Sequence, residues 1–384
     1  MQKNQPYNRK YPSVPDLAAR ARRRIPGFAM DYLEGGIGGE FALRRNRQDL
    51  DDVLLWPRYL RDMSQVDCRC RLFGHDYDLG VGISPVGLGG MMWPGIEMCL
   101  AQASQEGNIP YVLSTMSTTP LEQIAKTAPD VAWFQLYVPR DTAVMHDLIR
   151  RVDRAGFNVL VVTVDIPIGA KRDREMKNGL ILPFRLSAKL IGQALLRPQW
   201  SIKTLLNGIP DFVNLNPYLE RGSAANLSEL MSSFLMHGVT TDRLRQIRQC
   251  WQGPLVVKGL QRPEDIATVI DLGADGVIIS NHAGRQLDAA PSSVQSLRML
   301  PDDMKRKTVV MLDSGIRNGL DVIRARALGA VSCFSGRSFF YAVCGVGEDG
   351  GRQVIEIFRD EITRTLQQLG SEKFMELDGR WLEP

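Results

Sequence analysis

Eight short apolar runs, each followed by a stretch of helical character, most constrain what this chain can fold into. The runs are Val81–Ser84, Tyr111–Thr115, Val131–Tyr137, Val159–Asp165, Leu255–Lys258, Gly276–Asn281, Thr308–Asp313 and Val331–Ser335. Alternating strands and helices are typical of a parallel sheet, and strands covered on both faces are expected to be almost wholly apolar. Eight such units predict an α/β fold of the closed (β/α)8, or TIM, barrel type.

The rest of the chain fits around one barrel. Its 384 residues are within the usual size of this fold with additions. Ser13-Val14-Pro15-Asp16 predicts the start of a helix that ends at Ile25-Pro26-Gly27, before a second short helix. Roughly ninety residues separate strands four and five, too many for an ordinary loop. We therefore predict a single domain, 1–384, with an N-terminal helical segment and a long insertion after strand four, at about residues 176–240.

Reactive side chains stand at the carboxyl ends of the predicted strands. They are Gln135, Tyr137, Thr163, Asp165, Lys258, Ser280, His282, Asp313 and Arg317. The carboxyl ends of all barrel strands meet at one rim, where active sites of this fold are built. The pattern predicts one active site.

The end of strand six offers a base beside an anion-binding group. His282 is suited to accept a hydroxyl proton, and Arg285 to bind a carboxylate through two parallel hydrogen bonds. A capped loop histidine beside a surface arginine explains the pair equally well in isolation. Asp165 either fixes the tautomer of that histidine or caps a turn. Arg172 either makes a second carboxylate contact or belongs to surface charge around Asp173.

Glycine turns follow the last two strands, where barrels bind phosphate through backbone N–H groups and helix N-termini. Gly315 and Gly336, with Arg317 and Arg337, fit that role. The G-x-G-x-x-G pattern at 345–350 is rejected as a dinucleotide fingerprint because no strand precedes it and no βαβ unit follows.

The net charge and the cysteine content limit which partners and which cellular compartment are expected. A net charge of +4 does not indicate nucleic-acid binding. The six cysteines form no C-x-x-C pair, and the polar N-terminus has no following apolar run, so a cytoplasmic protein with structural thiols is expected.

The insertion has a basic first part. Between Met176 and Leu205 the basic residues are Lys177, Arg185, Lys189, Arg197 and Lys203, with no acidic residue, and Leu186, Leu190, Ile191, Leu195 and Leu196 recur near helical spacing. This predicts a basic amphipathic helix, with peripheral attachment to the inner face of the cell membrane as a hypothesis. A helix docked on the barrel and an oligomer contact are the alternatives.

Seven ordered motifs carry a family resemblance from Ile25 to about Leu369. They are Asp31–Gly36, Trp133–Tyr137, Thr163–Asp165, Val257–Gly259, Ser280–Asp288, Asp313–Gly319 and Gly336-Arg337. On these residues the chain resembles the FMN-dependent L-2-hydroxy acid oxidases and dehydrogenases, in particular the lactate and mandelate dehydrogenases. The resemblance implies oxidation of a lactate- or mandelate-like L-2-hydroxy acid to the 2-keto acid, FMN as cofactor, no metal, and a homotetramer.

The resemblance also assigns roles by position. His282 would be the base and Asp165 its partner, Arg285 and Arg172 would hold the substrate carboxylate, and Tyr32 and Tyr137 would contact its carboxylate and hydroxyl. Lys258 would face the flavin ring. The other implied cofactor contacts are Pro85, Val86 and Gly87 in the strand-one turn, Ser114, Gln135, Thr163 and Ser280 at the ring, and Asp313, Gly315, Arg317, Gly336 and Arg337 at the ribityl phosphate.

Three positions depart from the family pattern. Ala283 replaces a glycine, and alanine is strained there if the backbone needs a positive φ. Gly179 replaces an arginine, which removes a cofactor or loop contact. Met116 replaces the tryptophan of glycolate oxidase, which leaves room for a substrate bulkier than glycolate.

The electron acceptor and the reaction class leave alternatives. We rank a membrane quinone ahead of oxygen because of the basic insertion and because Pro85-Val86-Gly87-Leu88 reads like the dehydrogenases. An oxygen-using oxidase that releases hydrogen peroxide is the alternative. The fold also supports an isomerase or an aldolase, with Lys258 as a Schiff-base lysine, and a non-catalytic scaffold that retains the barrel, for which Ala283 is the best support.

Overall fold

The barrel predicted from the eight runs is present in the computed structural model, which describes residues 8–178, 187–218, 234–235 and 237–382. A hairpin of β1 (Cys70–Leu72) and β2 (His75–Tyr77) precedes it. The barrel strands are β3 (Val81–Ile83), β4 (Tyr111–Ser114), β5 (Ala132–Tyr137), β6 (Val159–Thr163), β7 (Leu255–Leu260), β8 (Gly276–Ile279), β9 (Val309–Leu312) and β10 (Ser332–Ser335). They pair in parallel in the closed order β10-β3-β4-β5-β6-β7-β8-β9, so the predicted fold is confirmed.

Helices surround the barrel. Those before the insertion are α1 (Val14–Arg24), α2 (Gly27–Glu34), α3 (Phe41–Asp51), α4 (Gly89–Met92), α5 (Ile96–Gly107), α6 (Leu121–Thr127) and α7 (Thr142–Ala155). The insertion contributes α8 (Asp173–Asn178), α9 (Ala188–Leu195) and α10 (Pro198–Asn207). The remaining described helices are α11 (Thr241–Cys250), α12 (Pro263–Asp271), α13 (Ser293–Met299), α14 (Asp302–Lys307), α15 (Gly319–Ala327), α16 (Arg337–Val346) and α17 (Gly350–Leu369).

Aromatic side chains close the amino end of the barrel. The Trp133 ring lies 5.6 Å from Phe73 and 5.5 Å from Phe334, measured between centroids. Its indole Nε1 donates to the Tyr77 hydroxyl at 3.0 Å, which satisfies the polar atom of a fully buried side chain. With this end filled by side chains, a ligand enters from the opposite, carboxyl end.

The N-terminal helices bring side chains to that carboxyl end. The Ser13 hydroxyl caps α1 by accepting from the Asp16 N–H. Helix α1 packs on α16, where a Cβ at Gly345 would lie 2.9 Å from the Leu17 carbonyl oxygen, so glycine permits the close approach. Helix α2 then carries Tyr32 to the barrel mouth, and α3 follows beside the loop after β8.

Two short helices, α9 and α10, lie where the sequence predicted one amphipathic helix. Pro198 has no N–H to donate and disfavours a helical residue before it, and Arg197 has φ −129° and ψ 66°. Arg197 donates to the Ile25 carbonyl at 3.1 Å, and Lys203 pairs with Glu348 at 3.0 Å. Two of the basic side chains therefore attach the insertion to the barrel, while Arg185, Leu186 and Gly179 lie outside the described residues.

One face of this part of the insertion is apolar and exposed. Leu190 and Trp200 are buried against the protein. Seven other large apolar side chains point to solvent, namely Ile191, Leu195, Leu196, Ile202, Leu205, Leu206 and Ile209. Within the described ranges, none of the helices has the length and apolar character needed to cross a bilayer.

Candidate active site

A cavity of about 1000 Å³, counted out to the solvent, lies at the carboxyl end of the barrel. Many predicted site residues form its wall: Tyr32, Pro85, Val86, Gly87, Tyr137, Arg172, Lys258, His282, Arg285, Asp313, Gly315, Arg317, Gly336 and Arg337. Ser114, Gln135 and Thr163 are buried on the strands that surround it, and Ser280 is buried directly after β8. The structure thus brings the predicted residues to one place, as expected for strand ends that converge.

His282 and Asp165 form a hydrogen-bonded pair at the cavity. The His282 Nδ1 atom lies 3.0 Å from Asp165 Oδ1, and both side chains are largely buried. Burial of the Asp165 carboxyl raises its pKa, but the facing His282, with a smaller effect of Lys258, prevails and holds the pKa below its ordinary value. A carboxylate on Nδ1 fixes the ring tautomer, so Nε2 is the nitrogen left for a ligand.

The loop that carries His282 has an unusual backbone. His282, Ala283 and Gly284 have φ values of 56°, 56° and 72°, all in the left-handed region. The Ala283 N–H donates to the Ser314 hydroxyl at 2.8 Å, which holds the strained turn in place. The strain predicted for alanine at position 283 is therefore present, since a Cβ in this region is unfavourable.

Reciprocal amide contacts anchor the same loop from outside. Asn46 on α3 donates to Asn281 at 2.7 Å, and Asn281 donates back to Asn46 at 2.8 Å. A Cβ at Gly284 would lie 2.6 Å from the Leu43 N atom, so the loop rests directly on the α3 backbone. The N-terminal segment thus positions the histidine, which no local sequence signal indicated.

Two arginines face the cavity, and a glutamate lies between them. Arg285 Nη1 donates to the Tyr32 and Gly35 carbonyls at 2.6 and 2.9 Å. Its Nη2 lies 2.8 Å from Glu175 Oε1, and Arg172 Nη1 lies 3.3 Å from the same oxygen. Sequence reasoning missed Glu175, although its position three residues after Arg172 was a usable signal for a contact on one helical turn.

Two tyrosines complete this half of the cavity. The Tyr32 hydroxyl donates to the Gly87 carbonyl at 3.2 Å, and the Arg285 guanidinium lies 5.0 Å from the Tyr32 ring centroid. Burial raises the pKa of both Tyr32 and Tyr137. The nearby Asp165 carboxylate adds to the increase for Tyr137. Both phenols therefore stay neutral at physiological pH. The Tyr137 hydroxyl can donate to a ligand, whereas the Tyr32 hydroxyl, which donates to Gly87, can accept from one.

Buried polar atoms without partners mark where a polar ring system fits. Gln135 Nε2 and Thr163 Oγ1 have no hydrogen-bond partner among the described residues, and Lys258 is buried with Asp313 at 2.9 Å and Ser280 at 2.9 Å. Buried polar groups without a hydrogen-bond partner destabilise the folded protein unless a ligand bonds to them. An isoalloxazine ring, which carries carbonyl oxygens and ring nitrogens, matches these donors.

The end of the cavity beside the Gly315 and Gly336 turns has the buried Arg337 and the partly buried Arg317. Arg337 donates to the Leu33 carbonyl at 2.8 Å and the Gly35 carbonyl at 3.0 Å. Burial and the neighbouring Arg317 lower the pKa of Arg337 to about 9. At Gly336, a Cβ would lie 2.9 Å from Val86, so glycine keeps this turn open. Two arginines that repel each other beside a glycine turn fit a phosphate dianion.

The apolar part of the cavity wall was only partly predicted. Met116 was expected here from the sequence, and the structure adds Leu88, Ile166 and Phe212. Phe212 belongs to the insertion and is buried. Its place in the wall depends on a contact between distant chain segments, so no sequence pattern indicated it.

Comparison with known proteins identifies the family. A model of the FMN-dependent dehydrogenases matches residues 21–384. The chain belongs to the FMN-dependent dehydrogenase family. It is 36% identical over 367 residues to an L-lactate dehydrogenase of Yersinia pestis (strain Pestoides F), which covers 94% of this chain and 96% of the relative. The predicted family and its FMN cofactor are thereby confirmed.

Solved structures of mandelate enzymes have the same fold. The monotopic membrane protein (S)-mandelate dehydrogenase superposes with a TM-score of 0.90 at 33% identity, over 97% of this chain and 98% of that one. A mandelate oxidase superposes with a TM-score of 0.82 at 32% identity, over 97% and 98% of the two chains. The chain is an FMN-dependent enzyme that oxidises the CH–OH group of a 2-hydroxy acid, which decides against the isomerase, aldolase and scaffold alternatives.

Proposed function

We propose that this enzyme oxidises a lactate- or mandelate-like L-2-hydroxy acid, with His282 as the base. The observation that carries the proposal is the 3.0 Å contact between His282 Nδ1 and Asp165, which leaves Nε2 for the substrate hydroxyl. As Nε2 takes the hydroxyl proton, Asp165 stabilises the imidazolium that forms. Arg285 and Arg172 hold the substrate carboxylate, and Tyr32 and Tyr137 contact its carboxylate and hydroxyl.

The cofactor contacts are proposed from the same geometry. Bound FMN supplies the two-electron acceptor. The side chains that hold its ring are Ser114, Gln135, Thr163, Lys258 and Ser280, together with the turn of Pro85, Val86 and Gly87. Asp313, Gly315, Arg317, Gly336 and Arg337 hold the ribityl phosphate. The unpaired Gln135 Nε2 and the Arg317–Arg337 repulsion support this assignment.

The apolar wall supports a substrate with an apolar side chain. Met116, Phe212 and Ile166 line the cavity together with the two clamp arginines. An unbranched methionine adapts to side chains of different size, from a methyl group to a phenyl ring. The substrate range is therefore expected to include both L-lactate and (S)-mandelate.

Anaerobic flavin reduction tests this function. The wild-type holoenzyme should be reduced by L-lactate or (S)-mandelate, and His282→Ala should slow that reduction by roughly 10²-fold or more while FMN stays bound. His146→Ala, on the partly exposed side of α7, is the matched control and should keep the rate. Reduction of His282→Ala at the wild-type rate would show that another group is the base.

We further propose that the electrons pass to a membrane quinone and that the enzyme attaches peripherally to the inner face of the cell membrane. The exposed leucines and isoleucines of α9, α10 and the residues after them support this, since each buried Leu or Ile side chain contributes about 1.5–3 kcal/mol. The likeness to a monotopic membrane dehydrogenase points the same way. Because Arg197 and Lys203 are engaged within the protein, salt should release the enzyme only partly.

Flotation with anionic vesicles tests the attachment. Leu205→Gln with Leu206→Gln should release the enzyme from vesicles, whereas Leu54→Gln, at another exposed leucine, should not. Reoxidation of the reduced enzyme should be faster with a quinone analogue than with oxygen. If the protein does not bind vesicles and is reoxidised fastest by oxygen, it is instead an oxidase that releases hydrogen peroxide.

We also propose a homo-oligomer, a tetramer by family resemblance. Sedimentation equilibrium of the detergent-free holoenzyme tests it, with four times the mass of the 42.9 kDa chain as the expected result. The mass of a single chain would refute it.

A further inference from the structure

Glu175 occupies the space between the two arginines of the proposed carboxylate clamp. Its Oε1 lies 2.8 Å from Arg285 Nη2 and 3.3 Å from Arg172 Nη1. The side chains of Glu175, Arg285 and Arg172 are only 13%, 12% and 17% exposed. Water therefore screens this internal carboxylate weakly, and its charge acts on anything bound beside it.

The ion pairs around Glu175 fix the charge that is left for a ligand. One carboxylate balances one of the two guanidiniums, so the clamp offers one uncompensated positive charge. A substrate with a single carboxylate matches that charge. A second carboxylate on the same substrate would be held near Glu175 and Asp165, where like charges repel.

The neighbourhood of Glu175 distinguishes this role from a purely structural one. No residue of helix α8 is fully buried, so Glu175 is not part of the hydrophobic core. Arg285 is already oriented by the Tyr32 and Gly35 carbonyls. The adjacent Arg174 pairs with Asp31 and Glu40 instead of the clamp. Glu175 thus acts chiefly on the charge of the cavity.

We propose that Glu175 is a specificity-determining residue that adapts the clamp to monocarboxylic 2-hydroxy acids and disfavours dicarboxylic ones. This inference rests on the proposed function of the arginine pair. It assigns Glu175 a role in substrate selection and none in the transfer of the proton or electrons.

Binding of two anions of nearly equal size tests the proposal. Pyruvate carries one negative charge at neutral pH and oxalate carries two, and each can be titrated into the oxidised holoenzyme through the change in flavin absorbance. Glu175→Gln should lower the Kd of oxalate relative to that of pyruvate by roughly tenfold or more, since one nearby charge is removed. Glu175→Asp keeps the charge and should leave the ratio within about threefold of wild type.

A surface control separates local from general charge effects. Glu106→Gln removes an exposed carboxylate that pairs with Arg352, and it should not change the oxalate-to-pyruvate ratio. In steady state, Glu175→Gln should lower the KM for L-malate relative to the KM for L-lactate. If Glu175→Gln leaves the oxalate-to-pyruvate Kd ratio unchanged while L-lactate or (S)-mandelate still reduces the wild-type flavin, the role of Glu175 is wrong and the proposed function stands. Failure of the wild type to be reduced by any 2-hydroxy acid would instead overturn the proposed function.

Discussion

His282 Nδ1 lies 3.0 Å from Asp165 Oδ1, although the two residues are 117 positions apart in the chain. The contact joins the loop after β8 to the residues that follow β6, so Asp165 orients the imidazole of a loop that α3 holds in place. The Asp165 Oδ2 atom has no hydrogen-bond partner among the described residues. This carboxylate is therefore directed chiefly at the histidine.

Asp165→Asn should slow flavin reduction by about 10²–10⁴-fold, because an amide neither fixes the tautomer nor stabilises the imidazolium. FMN should remain bound, since the substitution keeps the shape of the side chain. Stopped-flow absorbance under anaerobic conditions measures the rate. A loss of less than threefold would show that the contact is not needed for proton transfer.

The depressed pKa of Asp165 also links stability to pH. A carboxyl group whose pKa is lower in the folded state stabilises the protein above its unfolded pKa of about 3.9, and this contribution is lost as pH falls through the folded value. Wild type should therefore be more stable than Asp165→Asn at pH 7, and the difference should shrink below about pH 4. Urea unfolding at several pH values measures both. A difference that is constant with pH would contradict the assigned pKa direction.

Arg285→Lys should raise KM by tenfold or more with a smaller effect on kcat. One ammonium cannot reproduce the planar fork that contacts two carbonyls and Glu175 and still offers a bond to substrate. Arg174→Lys is the matched control, because Arg174 is partly exposed and pairs with Glu40. An unchanged KM in Arg285→Lys would count against the clamp.

Ala283→Gly should stabilise the protein by about 0.5–1 kcal/mol. Glycine removes the cost of a Cβ at φ 56°. The greater conformational entropy of glycine in the unfolded chain offsets only part of this gain. Gly284→Ala should be destabilising, since its Cβ would meet the Leu43 backbone at 2.6 Å. Urea unfolding of the holoproteins gives both values. Equal stability of wild type and Ala283→Gly would mean that the turn is not strained.

Inorganic phosphate should stabilise the protein from which FMN has been removed. Arg337 has a lowered pKa, so below about pH 9 its charge costs stability in the folded state, and a bound anion offsets that cost. At a phosphate concentration of ten times Kd the gain is on the order of 1.4 kcal/mol. Thermal melts in phosphate and in sodium chloride of equal ionic strength show the difference, which Arg337→Met should abolish.

The strands were predictable because their pattern is local. Continuous apolar runs such as Val159–Thr163 indicate burial on both faces, and the structure ends that strand at Thr163, two residues before the predicted end at Asp165. Strand β7 instead continues two residues past Lys258, to Leu260. Strand ends depend on where neighbouring strands stop pairing, which a single run does not encode.

The missed parts of the site depend on contacts between distant segments. His282 and Arg285 were recognisable from their residue type and position. The residues that contact them were not. The Asn46–Asn281 amide pair and the bridging position of Glu175 arise only once the N-terminal helices and the insertion pack on the barrel. The break at Pro198 was readable from sequence, because proline disfavours a helical residue before it, but the prediction did not use that signal.

Through Phe212, the insertion also forms part of the substrate cavity. The chain leaves β6 at Thr163, passes through the exposed apolar helices, and returns Phe212 to the wall of the cavity. A hybrid enzyme that receives this stretch from another family member would exchange part of its substrate pocket together with its surface segment. We therefore expect the substrate profile of such hybrids to follow the donor of the insertion as well as the donor of the barrel.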